Sequence, residues 1–523
     1  MRGAVAFRSV LHNRRRCQEP RIGPERELAA PAAPRAPNTA LGQQATVSDS
    51  AEATAANLSG TTTDSYDPEG DLIDQDTPEG DIKHTYSPVT GELTETSAAN
   101  TDIAYGYNDL GELTTTTVKE LNGEELATPL VTTDSCDPAG NKTSEILPNG
   151  VVTSWTDDDL NRLVSMTETL NGTTLFSQSF TLNDDGTRAS SDQTQLQPDG
   201  STITTDTIWS NNALGELTSE TLSSSDSSQD YTDTFTYDLV GNRLTSAHAG
   251  PGNGPDENIT NTYNDDDELT KEVSTLSGET DLKYDANGSL TTQTNGSDVT
   301  TYGYDVRNKM TSADVNGITA TYVYDDAGNR VGETTGGVTT FYLTDDDNPT
   351  GYAQPIEQKA SAAAAPAVTY IIGDRVLAQA DASGAVSYLL TDGHGSTRAL
   401  TNSAGAATQT FNYTAFGGAL GFNSETAPTA ILYAGQMFDA GSDLYNMRAR
   451  DYSAQTGTFT ARDSPRRRSK FEPVHLCRRE RGEHVRSERA RWGVVGHAGD
   501  PGYRHGTLVD PGRRGSVASP FPD

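Results

Sequence analysis

The sequence predicts an all-β protein made of consecutive hairpins, with basic, disordered segments at both termini. Three observations lead there. From about residue 57 a short pattern recurs in which Tyr-Asp is followed by turn formers and then Leu, Val or Arg; its best copies are Phe235-Thr236-Tyr237-Asp238-Leu239-Val240-Gly241-Asn242-Arg243-Leu244 and Tyr322-Val323-Tyr324-Asp325-Asp326-Ala327-Gly328-Asn329-Arg330-Val331. Asn-Gly and Asp-Gly pairs punctuate the chain between copies, at Asn122-Gly123, Asn149-Gly150, Asn171-Gly172, Asp185-Gly186, Asn287-Gly288 and Asn316-Gly317. Thr-rich alternation fills the remainder, as a sheet with one wet face requires.

The composition places the chain among repetitive β proteins. Only 33% of residues are hydrophobic and 21% are charged, a balance that ordinarily buries too little surface to offset ordering. The regular spacing of Tyr and Trp argues for order instead. A chain of 523 residues would ordinarily divide into about three domains, but a repeat array forms one long body.

The net charge of −36 conceals a partition. Residues 46–464 hold 17 Lys+Arg against 64 Asp+Glu, a net of −47, whereas residues 1–45 hold 8 against 3 and residues 465–523 hold 13 against 7. A body this acidic repels nucleic acid and anionic membrane, so neither is expected as its ligand, and the acidity reads as a solubility device.

Taken in order, residues 1–45 are basic without an apolar run behind the charge, so they do not read as a secretory signal and are expected to be disordered. No stretch of 18 apolar residues is present to span a membrane as a helix. Residues 46–350 form the array, in which further copies are SYDPEGDL from Ser65, YGYNDLGEL from Tyr105, NNALGEL from Asn211, LKYDANGSL from Leu282 and YGYDVRNKM from Tyr302, near twenty residues apart where the match is good. In each unit Tyr buries its ring while its hydroxyl reaches backbone, Asp caps the turn, and Gly three residues on supplies positive φ. Such hairpins must pair into one continuous sheet, and a long twisted sheet coils. Cys136 stands where a repeat would place its Tyr, as a small substitute; Cys17, Cys136 and Cys477 lie far apart with no ligand spacing, so neither a metal site nor a disulfide framework is expected. Residues 351–368, with Lys359-Ala360-Ser361-Ala362-Ala363-Ala364-Ala365-Pro366, read as an Ala-rich linker.

Residues 369–464 carry a denser set of motifs: Asp392-Gly393-His394-Gly395-Ser396-Thr397-Arg398, the spacing Gly435, Asp439, Leu444, Tyr445, and Arg448-Ala449-Arg450 followed by Asp451-Tyr452 and Gly457-Thr458-Phe459. On these residues the segment resembles the core that closes the repeat array in Rhs/YD-repeat proteins, a family that includes bacterial polymorphic toxins and the shell domain of teneurins. The resemblance implies a coiled sheet or partial hollow shell that the core plugs, with a C-terminal effector as the enclosed or presented partner. It also implies a secreted or cell-surface location and no cofactor. The other functional classes are a wall-associated protein that binds carbohydrate or neighbouring cells, and a nonfunctional remnant. His394 reads as a turn-lining residue, since no nucleophile spacing accompanies it.

In the family the core cuts itself from its cargo with an Arg, an Asp after it, and a second Asp in Asp-Pro-x-Gly. Arg450 and Asp463 fit the first two places. Two carboxylates that share a proton can act as acid and base on a water. The structural alternative is that Asp463 closes a turn and Arg450 pairs with it. The expected second Asp, in Asp-Pro-x-Gly, is absent, because beyond Ser464 the chain becomes PRRRSKFEPVHLCRRERGEHVRSERARW. With synonymous codons chosen for this stretch and a slide of one nucleotide, the same DNA can encode PGDARSSNPYTYAGANAVNMFDPSGHG, which resembles the family's usual continuation. The expectation is a frameshift near Ser464 or Pro465, leaving residues 465–523 as a disordered, out-of-frame tail and the chain without self-cleavage. A nuclease tail built on His475, His484, His497 and His505 is the rival, but that stretch lacks an apolar pattern to fold a domain.

Overall fold

The computed structural model describes residues 46–48 and 61–462. The array and the first part of the core form one 32-stranded sheet, from Thr46–Ser48 to Ala407–Thr410. Every strand pairs antiparallel with the next along the chain, and the first and last do not meet, so the sheet is not closed into a barrel. No α-helix occurs among the described residues. The basic ends, 1–45 and 465–523, lie outside the described residues.

An antiparallel meander sends alternate turns to opposite rims, and here the two rims differ in chemistry. One rim carries the Tyr-Asp turns. In the unit around Tyr237, Asp238 N donates to Asn242 O at 3.0 Å and Gly241 N to Asp238 O at 3.3 Å, while Asp238 Oδ1 accepts from Val240 N and Asn242 N, both at 2.9 Å. Gly241 sits at φ +96°, a position that costs a residue with a Cβ. Asp285, Asp305 and Asp325 accept from the backbone in the same way, and Asn308 takes the positive-φ place in its unit. One residue before each Tyr the register shifts, as between Thr236 and Tyr237, Lys283 and Tyr284, Gly303 and Tyr304, and Val323 and Tyr324. Each shift is a bulge that adds right-handed twist, so the repeat coils the sheet.

The Asn-Gly and Asp-Gly pairs divide between two turn classes. Asn122-Gly123, Asn171-Gly172 and Asn316-Gly317 have positive φ at both residues and make two-residue hairpins on the second rim. Gly150, Gly186 and Gly288 alone have positive φ in their pairs, and each closes a longer turn. Asn287-Gly288 belongs to the Tyr284-Asp285 turn itself.

Tyrosine explains the period. Tyr237, Tyr284, Tyr304 and Tyr324 are half-buried behind their turns, and the Tyr237 hydroxyl donates to Leu217 O at 2.7 Å, twenty residues back in the preceding unit. Tyr263 reaches Arg243 O at 3.0 Å over the same interval. Asn side chains tie neighbouring tips, Asn141 to Asn161 at 2.8 Å and Asn329 to Asp346 at 2.8 Å. Cys136 occupies the tyrosine place, after a register shift from Ser135, and burial pushes its thiol up to about 11.

The sheet returns on itself. Ile103, Tyr105, Leu113 and Val118 pack with Ile371, Leu377, Tyr388 and Leu390 in one core. His84 meets Asp345 at 3.0 Å, Tyr105 donates to Ile372 O at 3.2 Å, and Asn149 donates to Asn402 O at 3.0 Å, contacts some 250 to 270 residues apart. Residues 351–368, expected as a linker, are instead part of the wall: Gln354–Lys359 and Pro366–Ile372 are paired strands of the same sheet. The alanines form only the turn between them. Ile356 and Lys359 are buried, the Lys359 ammonium bonded to Glu357 at 3.1 Å and to Glu79 O at 2.7 Å, partners that composition alone does not reveal.

Replacing Tyr237 with Phe removes a bond between repeats and leaves Leu217 O without it. The expected loss is about 1 kcal/mol in denaturant unfolding, with no change of fold by circular dichroism; an unchanged midpoint would remove the hydroxyl from the account of the period.

Candidate functional site

The core segment is short strands that lie against the array rather than extending it. Asn412–Tyr413 pairs with Ala419–Leu420, and Met437–Asp439, Leu444–Met447, Arg450–Ser453 and Thr458–Phe459 make a separate four-stranded sheet. Phe411, Tyr413, Leu432, Tyr433, Phe438, Tyr445 and Tyr452 share a core with Ile82, Leu343, Tyr370 and Leu400 of the large sheet. Each buried tyrosine ends on a carbonyl: Tyr413 on Thr397 O at 2.9 Å, Tyr433 on Ala415 O at 2.9 Å, Tyr445 on Gly417 O at 3.2 Å and Tyr452 on Phe416 O at 2.9 Å. Rings that bury area while satisfying their hydroxyls make the segment a plug.

Charged groups of the repeats hold this plug. The Arg330 guanidinium, from the Tyr324-Asp325 unit, is buried and reaches Asp439 at 2.6 Å and Asp451 at 3.0 Å, with the Tyr322 ring 3.9 Å away. Lys309 donates to Arg448 O at 2.8 Å, Arg243 to Thr456 O at 2.5 Å, and Leu290 N to Thr460 O at 2.7 Å. Arg462, the last described residue, donates to Glu268 at 2.8 Å on the hairpin-tip rim.

Of the residues the sequence singles out, Arg450 lies with its guanidinium 3.8 Å over the Phe459 ring and donates to Ala461 O at 3.3 Å. Asp463 lies outside the described residues, so its relation to Arg450 is not among the observed contacts. His394 does line the tight turn that begins at Asp392, where its backbone N–H donates to Asp392 Oδ1 at 2.8 Å. Burial pushes its imidazole down to about 4, against the opposing pull of Asp392. A carboxylate that motif reading passed over is Asp451. It is buried, and burial raises its carboxyl despite Arg330; its backbone O accepts from Thr460 N at 2.9 Å, which draws the strand before residue 463 alongside. Its tight coupling to a repeat arginine more than a hundred residues away has no signal in local sequence.

Other carboxylates along the seat titrate in opposite senses. Burial, then the Asp233 carboxylate, pushes Glu220 up to about 7, and burial raises Glu168 well above the usual range. Burial alone would also raise Glu145, but Arg375, bidentate at 2.6 Å, and Lys142 outweigh it and hold that carboxyl at about 2.

Replacing Arg330 with Met leaves two buried carboxylates unpaired, and is expected to cost about 3–5 kcal/mol. The same change at the partly exposed Lys119 should cost no more than about 1 kcal/mol; equal effects by denaturant unfolding would refute the anchoring role. Because Glu220 is raised in the folded state, its contribution is present below the ordinary carboxylate pKa and lost as pH rises through about 7. Because Glu145 is depressed, its contribution is present above the ordinary value and lost as pH falls toward 2. Thermal midpoints are therefore expected to be higher at pH 5 than at pH 8 and to fall again below pH 4, and Glu220→Gln should reduce the difference between pH 5 and pH 8.

A family model for the teneurin YD-shell matches residues 141–475. A comparison with curated proteins finds no match. Among solved structures the chain is similar to the crystal structure of TcdB2-TccC3-TEV, at 13% identity over 82% of this chain and 26% of that one, with a TM-score of 0.47. It is also similar to the Photorhabdus luminescens Tc holotoxin pore carrying a TccC3 mutation, at 14% identity over 79% of this chain and 25% of that one, with a TM-score of 0.43. The chain spans about a quarter of the length of these solved chains. The family match covers more than half of the sequence and takes in both the Tyr-Asp hairpins and the core seated on them, and the chain belongs to the teneurin YD-shell family.

Proposed function

We propose that this chain is the wall and plug of a secreted Rhs-type shell that encloses or presents an effector polypeptide joined after the core. The observation that carries this reading is the seating of residues 411–462 on the repeat strands through Arg330, Lys309 and the buried tyrosines. A segment so anchored can hold a polypeptide joined to its C-terminal end against the shell. Limited proteolysis of the chain, restored to the alternative frame after Ser464 and carrying a reporter domain, tests it. The reporter should be cut more slowly than the same reporter free in solution, and equal rates would overturn the proposal.

A second reading, self-cleavage at the end of the core, is favoured by Asp451. This buried carboxylate with a raised pKa lies beside the strand that leads to Asp463, and Arg450 grips that strand at Ala461. In this reading Arg450 positions the strand and Asp463 works with one further carboxylate, either Asp451 or the Asp of the restored frame. Intact-mass analysis decides. If the Asp of the restored frame is the partner, the chain as written should remain whole and the frame-restored chain should yield two fragments, whereas a cut in the chain as written points to Asp451; on either branch Asp463→Asn should abolish the cut. Asp451→Asn in the restored chain then tells which carboxylate is the partner.

A further inference from the structure

Turns on the Tyr-Asp rim carry large apolar side chains that the fold leaves in water. Val89, Leu110, Leu160, Leu214 and Val240 each stand two places after the residue that caps their turn. The cap fixes them there: Leu110 N donates to Asn108 Oδ1 at 2.9 Å, Leu160 N to Asp158 Oδ1 at 2.9 Å and Leu214 N to Asn212 Oδ1 at 3.0 Å. Folding makes little use of these side chains. Val89 is 89% exposed, Leu110 58% and Leu160 70%, so they gain little from burial, in a chain short of apolar residues and at a turn where Gly, Asn or Asp is the usual choice. On the second rim, Leu276 is the one large apolar side chain exposed within a turn among the described residues. Single exposed leucines are ordinary, but a row at one turn position on one rim is not scatter.

The longest unbroken run is the four consecutive tips of Val89, Leu110, Ala139 and Leu160, all exposed. Their hairpins are neighbours in the sheet, so two strand spacings, about 10 Å, separate each tip from the next and the run spans about 30 Å. The tips are stacked closely. A Cβ on Gly111 would come within 2.7 Å of the Glu92 carboxylate, and one on Gly140 within 3.1 Å of the Glu112 carboxylate. Residues 87–92, 108–112, 137–141 and 158–162, which make these tips, hold six carboxylates and one cation, Arg162, which is itself bonded to Asp158 at 2.7 Å. Apolar residues therefore alternate with carboxylates along the run. Nucleic acid or an anionic lipid surface is repelled by it, and a second copy offering the same run would bring carboxylate against carboxylate. A basic amphipathic helix suits both features. Its apolar stripe returns every seven residues, a rise of about 10.5 Å that matches the tip spacing, and about 20 residues cover the run.

We propose that the tips of Val89, Leu110, Ala139 and Leu160 are a docking row for a basic, amphipathic helix of a partner polypeptide. Fluorescence anisotropy of the full chain tests it, with a labelled helical peptide of about 20 residues, leucine on one face and lysine on the other, and with the same composition in scrambled order. The helical peptide should bind, and the scrambled one should bind at least tenfold more weakly. Val89→Ser, Leu110→Ser and Leu160→Ser combined leave every charge in place, and should weaken the helical peptide tenfold or more at an unchanged thermal midpoint. Leu276→Ser, on the other rim, should leave the affinity as it was. No binding, or equal affinity for the triple variant or for the scrambled peptide, overturns the proposal, the last two because charge attraction alone would then account for the complex. Three further results assign the tips to another occupant and overturn it equally: a dimer in sedimentation equilibrium that the triple variant loses, flotation with phosphatidylcholine vesicles that the triple variant loses, and a peptide of residues 465–490 that binds more tightly than the designed helix.

Discussion

The need to cover one face of a very long antiparallel sheet, with a chain that is only one-third hydrophobic, governs every other feature of this molecule. A flat meander of 32 strands would leave its apolar stripe in water, and nothing in the composition provides a second layer of helices. The chain meets the need with itself. A bulge ahead of each Tyr-Asp turn increases the twist, the twist coils the strip, and coiling brings strands some 260 residues apart together. Where the returning sheet does not reach, the core segment does, with tyrosines that supply area and satisfied hydroxyls at the same time.

A low apolar content also explains why polar groups serve as structural joints. Glu145 with Arg375 and Lys142, Lys359 with Glu357, and Arg330 with Asp439 and Asp451 all lie in buried surroundings, and the first and last of these sets bridge distant segments. Such pairs contribute less net stability than apolar packing would, because desolvation offsets most of their attraction, but breaking one is expensive. They therefore act as register marks that penalise incorrect seating. The plug is thus held by charge pairs and backbone bonds as well as by its aromatic core.

The same geometry connects fold to proposed function. The strand Thr458–Phe459 and the residues after it run to the rim of hairpin tips, where Arg462 touches Glu268 and the backbone of Thr460 pairs with Leu290. Arg450, Asp451 and the approach to Asp463 are thereby collected at one place on the wall. A cavity beside Arg243 lies at another part of the same seam.

Local sequence determined the unit. Tyr-Asp before turn formers, with Gly or Asn at the positive-φ place, specifies the hairpin because each of those residues acts on its own backbone within five positions. The rim assignment of the Asn-Gly pairs was less legible, since one dipeptide serves two turn classes and register decides which. Only tertiary structure decided that the Ala-rich stretch is wall, because its burial depends on Glu79 and Ile82 from a distant hairpin. It alone placed Asp451 on Arg330 and opened the cavity between His248 and Phe416. Those relations depend on how far the strip coils before it meets itself, a sum of small twists over many strands that no short stretch of residues encodes.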